Sequence, residues 1–242
     1  MTRIDSEALA ASLKRIERRP EEPTMVDESL RRVIDACNEL FLVDGSGLML
    51  ADEHGVLRYV VATEGPGRML EDTQIDAGEG PCVDTFVHDR LVMTEDVATD
   101  PRWPTLGPLI AGRGVGAVLG VPVRLSGGCV GSLDLYRSHA HSWDESEQQA
   151  LVRYGEVIET MLAAALSAEQ AGELANQLNY ALEYRVVIER GIGYLMARDD
   201  VDQTAAFNRI RSSARSGRRK IGDVAAHLLT SGRLPEEDGA DS

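Results

Sequence analysis

The chain has 242 residues, 43% of them hydrophobic, and a formal net charge of −15, which provides apolar material for one or two domains and disfavours polyanion binding by most of the surface. No apolar run approaches the roughly 20 residues that span a bilayer, and nothing near Met1 has a signal-peptide layout, so a cytoplasmic protein without membrane attachment is expected. Cys37, Cys82 and Cys129 are odd in number and far apart, which argues against a disulfide framework or a thiolate zinc site and fits a reducing compartment.

Residues 2–19 read as an amphipathic helix with Ile4, Ala8, Leu9, Leu13 and Ile16 on one side, packing on its own domain or on a second subunit. Pro20 and Pro23 end it, which sets 1–23 apart as an N-terminal segment. A helix over 27–42 follows, its inward positions being Leu30, Val33, Ile34, Cys37 and Phe41. Strands at 47–51 and 56–63 make a hairpin around Glu53-His54-Gly55. The next stretch is loop-rich. Ala77-Gly78-Glu79-Gly80-Pro81-Cys82 turns into a short helix over 83–88, and 91–94 is a short strand. Asp100-Pro101-Arg102-Trp103-Pro104 is a turn before a helix over 106–112. Strands 115–123 and 129–136 meet at Leu125-Ser126-Gly127-Gly128. This order points to an α+β fold rather than a doubly wound sheet.

Gly80-Pro81-Cys82, Asp96, Asp100-Pro101-Arg102-Trp103-Pro104, Gly120-Val121-Pro122-Val123 and Gly131-Ser132-Leu133-Asp134-Leu135-Tyr136, in that order, resemble a GAF domain over 24–165. The resemblance implies an antiparallel sheet with flanking helices and a sensory pocket on one face for a small-molecule or protein effector; the cofactor is left unknown. Cys82, at a helix start where a thiol pKa can fall, is the candidate sensor residue, its alternative being a buried packing residue. His139 and His141 lie in a loop with no completing ligands. Asp84, His88, Glu95 and Asp96 have no partnered nucleophile. No enzyme, catalytic centre or metal site is expected.

Residues 145–197 contain no proline. Leu151, Tyr154, Ile158, Met161, Ala165 and Ala168 follow a coiled-coil seam, continued in shifted phase by Leu174, Leu178, Ala181, Ile188, Ile192 and Leu195. A linker helix, 166–184, that joins two copies into a homodimer is expected. Charge then reverses: 185–233 holds ten cations against five anions, a net +5, while the rest of the chain sums to −20. Apolar spacing divides this stretch into three helical pieces, the second capped by Asp202 and the third following Ser216-Gly217. Arg209, Arg211 and Arg215 are placed outward; the third helix buries Ile221, Val224, Ala225, Leu228 and Leu229.

Arg185-x-x-Ile188-Glu189, Gly193-x-Leu195-Met196-Ala197-Arg198, Ala205-Ala206-Phe207, Ile210-Arg211-x-x-Ala214 and Arg219-Lys220-Ile221-x-Asp223-Val224-Ala225 resemble an ANTAR domain over 174–234, before a disordered tail at 235–242. That resemblance implies a three-helix all-α module that binds RNA hairpins in nascent transcripts and prevents a terminator from forming. Gly191-Ile192-Gly193 stands where the family has Ala-Lys-Gly. The expected RNA contacts are Arg185, Arg209, Arg211, Arg215, Arg218, Arg219 and Lys220, with Tyr180, Tyr184 and Tyr194 for stacking. Two rivals remain open: a DNA-binding regulator, and a sensor that acts only through protein partners with a degenerate helical module.

Overall fold

The structure, a computed structural model, describes residues 3–17, 26–51, 57–63, 65–167 and 172–237. The chain divides into two compact units, the first containing Met1–Leu50 and Leu57–Ala175 and the second containing Asn176–Ser242.

The first unit is built on a five-stranded sheet of order β2-β1-β5-β4-β3. Its strands are β1 (Gly45–Ala51), β2 (Leu57–Ala62), β3 (Val92–Thr94), β4 (Val118–Leu125) and β5 (Gly128–Tyr136). The β1–β5, β4–β5 and β3–β4 pairs are antiparallel. β4 and β5 close through Ser126 and Gly127, both at positive φ, 51° and 84°, as a two-residue hairpin turn matched to strand twist requires. The expected turn Glu53-His54-Gly55 lies outside the described residues.

Period-two alternation divides the sheet into two faces. On one side Val121 and the carbonyl of Pro122 approach Gly155 of α6 (Glu145–Ser167), which with α2 (Val26–Phe41) covers that face. The expected inward residues of α2, Leu30, Val33, Ile34, Cys37 and Phe41, are all buried. α1 (Ser6–Glu17) packs on both helices, and its Ser12 hydroxyl shares a 2.7 Å hydrogen bond with Tyr154 of α6. It is thus held by its own domain. α6 starts with a reciprocal cap: Asp144 accepts the Glu147 N–H, and Glu147 accepts the Asp144 N–H.

The other face carries α3 (Pro66–Ala77), α4 (Pro81–His88) and α5 (Leu106–Ile110). Between α3, α5 and the sheet lies a cluster of Leu70, Val97, Trp103, Leu106, Ile110 and Tyr136 with their neighbours. The protein's own side chains fill this space. α3 corrects the loop expected before Gly78.

The seam expectation for α6 is also corrected. Leu151, Tyr154, Ile158 and Ala165 are buried inside the first unit, because the 3-4 spacing that suits a coiled coil equally suits packing on α2 and the sheet. Ala168 lies outside the described residues.

The second unit contains α7 (Gly172–Asp199) from Asn176 onward, α8 (Gln203–Ser216) and α9 (Ile221–Ser231). Ile188, Ile192, Leu195, Ala206, Phe207, Ile210, Ala214, Val224, Ala225 and Leu228 form its core. Leu229 and Ile221, expected inward, are exposed and half-buried, and Met196 is exposed. Among the described residues, no helix is long and apolar enough to cross a membrane.

Candidate nucleic-acid interface and the buried sensor cluster

Local chemistry sets each end of the helical unit. Asp202 accepts the Ala205 N–H at 2.8 Å and starts α8 as expected. α8 ends at Ser216, but Gly217 keeps a right-handed conformation and Arg218 takes the left-handed one, φ 50°. Lys220 is the extended residue before α9, and Gly232, at φ 77°, closes it. Gly191 is buried where α7 meets α9: a Cβ there would stand 3.0 Å from that of Ala225. Ile192, in the place of the family's lysine, joins the core.

The cations divide by what they touch. Arg185 pairs with Glu189 at 2.7 Å, and Arg209 with Asp199. Arg211 corrects the outward placement: it is 8% exposed, donates to Asn208 at 2.7 Å and lies over the Phe207 ring. Arg198 binds Asp199, Glu237 and the Gly232 carbonyl, so Pro235–Glu237, expected in a disordered tail, form a turn on the bundle. Glu236 meets Ser213 there. Arg215 is exposed. Arg218 and Arg219 are exposed and Lys220 half-buried, and among the described residues none of the three has an acidic partner.

The aromatics separate similarly. The Tyr184 hydroxyl accepts the Gly222 N–H at 2.6 Å, capping α9, and its ring fills the space beside Gly222. It satisfies one of the N–H groups left free at the start of α9. Tyr194 is 39% exposed, its hydroxyl donating to Gly232 at 3.4 Å. The side chain of Tyr180 lies outside the described residues.

In the first unit Cys82 is fully buried. The Ala77–Cys82 stretch explains why. Gly78 ends α3 in the left-handed region, and Glu79 accepts the N–H groups of Thr105 and Leu106 to start α5. Gly80, φ 148°, has no Cβ because Gln74 occupies that space, and Gln74 accepts the Cys82 N–H at 2.9 Å. Cys82 Sγ then lies 3.4 Å from Glu71 and 3.0 Å from the Gln74 amide nitrogen. Burial, then Asp134 and Glu71, push the thiol pKa up, the reverse of the helix-start expectation. Burial likewise raises the Glu71 carboxyl, and that of Asp134 to about 7. The sequence singles out neither Glu71 nor Gln74, for which Pro66 and Gly78 bracketing α3 were the available signal, and it includes Asp134 only within the β5 motif. An open groove of about 910 Å³, lined by Arg3, Asp5, Glu145 and Arg153 among others, lies between α1 and α6 and is of mixed charge.

His141, in its loop, contacts Glu147 at 3.0 Å and stacks edge-on against Trp143.

The family model described as GAF domain matches residues 26–162, and that described as ANTAR domain matches 176–229. The first unit is similar to the GAF domain of a phosphoenolpyruvate-protein phosphotransferase from Coxiella burnetii, at 17% identity over 68% of this chain and 95% of that one, TM-score 0.55. The corresponding Acinetobacter domain gives 16% identity over 70% and 99%, TM-score 0.52. A free methionine-R-sulfoxide reductase from Neisseria meningitidis gives 19% over 67% and 90%, TM-score 0.53. At these identities the likeness is one of fold. No curated protein matches the chain.

Proposed function

We propose that this chain, which belongs to the GAF family and carries a C-terminal ANTAR domain, is a signal-responsive regulator that binds paired hairpins in nascent transcripts and favours antitermination. The observation that carries the reading is Arg218. A left-handed arginine costs about 1 kcal/mol that glycine would not, and Gly217 stands unused beside it. A backbone rule broken at an exposed cation, next to Arg219 and Lys220, is what a phosphate-contacting corner would look like. The interface is Arg218, Arg219 and Lys220, with Arg215 and Tyr194 beside them in role. Arg185, Arg209 and Arg211 act first within the bundle.

The regulator is cytoplasmic and non-catalytic in this reading: a buried thiol with a raised pKa is a poor nucleophile. An effector at the first unit shifts the pairing of two copies through the expected 166–184 linker, whose side chains before Tyr184 lie outside the described residues, so that two modules hold two hairpins.

Binding of stem-loop RNA by the full chain tests this. Arg218→Gly should melt at or above the wild-type temperature yet bind the hairpin more weakly. Reversing Arg218, Arg219 and Lys220 to glutamate should abolish binding and leave the sedimentation coefficient of the dimer unchanged. Duplex DNA that outcompetes a hairpin pair at matched salt would overturn the RNA assignment.

A further inference from the structure

We infer that Glu71, Cys82 and Asp134 form a buried site for one divalent d-block cation of the zinc class in the sensor unit. The inference is independent of the RNA reading. The three donors come from α3, α4 and β5, positions far apart in sequence, and one ligand atom from each lies within 4.8 Å of the other two. Tetrahedral metal–sulfur and metal–oxygen bonds of about 2.3 and 2.0–2.2 Å place donors roughly 3.3–3.7 Å apart, so a small contraction seats the ion. Cys82 Sγ and Glu71 Oε1 already stand 3.4 Å apart.

The surrounding groups are arranged as an outer shell. The Gln74 amide nitrogen donates to Glu71 Oε2 at 3.1 Å and to Cys82 Sγ at 3.0 Å, so one side chain presents two donors in acceptor form. Its orientation is fixed from the other end by the Cys82 N–H. The Ser132 hydroxyl donates to Asp134 Oδ2 at 2.6 Å and leaves Oδ1.

Two buried oxygens, one of them on Thr85 outside the three donors, point to a ligand as well. Asp134 Oδ1 and Thr85 Oγ1 have no hydrogen-bond partner among the described residues, and Thr85 is fully buried on α4, one turn after Cys82. Both lean over Gly120, where a Cβ would come within 2.4 and 2.8 Å of them. No basic side chain contacts Glu71 or Asp134 among the described residues. Buried acidic groups without a counter-charge are costly unless paired or bound to metal. One thiolate with two carboxylates favours zinc or cobalt over magnesium or calcium, and three protein ligands leave a fourth position open to an exogenous one. Binding releases the thiol proton and any carboxyl proton to solvent.

The test is a cobalt(II) titration of the full chain, stripped by chelator and kept reduced. One equivalent should bind with a thiolate-to-cobalt charge-transfer band, and zinc(II) should displace it. Cys82→Ser should lose the band while Cys37→Ser and Cys129→Ser keep it. Gln74→Leu, which leaves all three ligands, should weaken binding about 10–100-fold. Wild-type protein without the band, or a band that survives Cys82→Ser, overturns the site. Should Cys82→Ser not fold, Asp134→Asn replaces it: unchanged cobalt affinity in that variant overturns the site as well.

Discussion

Gly222 has no side chain because Tyr184 occupies the space one would take: a Cβ would fall 2.0 Å from the ring. Gly222→Ala should therefore destabilise the helical unit by about 1–3 kcal/mol, read as a lower melting temperature by circular dichroism. Tyr184→Phe keeps the ring and removes only the acceptor of the Gly222 N–H, a loss of about 1 kcal/mol. A lower melting temperature in the phenylalanine variant assigns the hydroxyl to the cap, and an unchanged melting temperature overturns that assignment. Gly191→Ala sets a gain in helix propensity of about 1 kcal/mol against a 3.0 Å approach to Ala225 Cβ. Pairing it with Ala225→Gly transfers the methyl group from one helix to the other.

The junction of α7, α8 and the 235–237 turn is a network of Arg198 with Asp199 and Glu237, and of Arg209 with Asp199. Hydrogen bonds from Arg198 hold the Asp199 and Glu237 carboxyls below their usual range. Depressed carboxyls stabilise above their unfolded pKa of about 4, and that contribution is lost as pH falls through the lower folded values. Arg198→Gln should thus lower the melting temperature at pH 7, and the gap from wild type should close towards pH 3. Because the groups are partly exposed, the effect should not exceed about 1 kcal/mol per pair. Elements with an apolar stripe and a clear stop, such as α2, α8 and the β4–β5 hairpin, were legible in the sequence. α3 was not, and the reason is physical: it turns Glu71 and Gln74 inward beside Leu70 and Ala77, so a buried face carries polar residues and the periodicity vanishes. The same polar inward face is what makes the candidate sensor cluster, so the site and the missed helix are one omission. The stripe on α6 was read correctly as buried and incorrectly as intermolecular, since spacing alone does not name the partner.

Charge is partitioned along the chain, −20 outside the 185–233 segment and +5 within it. Within the positive segment the structure subtracts Arg185, Arg198, Arg209 and Arg211, already engaged with groups of their own unit, from those the charge count had offered. Sequence counts charges; folding decides which remain available. Hairpin affinity should therefore fall with salt less steeply than ten cations would imply, and neutralising Arg219 should reduce the slope of log affinity against log salt by about one. The cysteines are partitioned too. Cys37, Cys82 and Cys129 are all buried in the first unit, and the segment from Asn176 onward has none. A thiol-labelling reagent added to the native chain consequently acts as a clock for opening of the first unit.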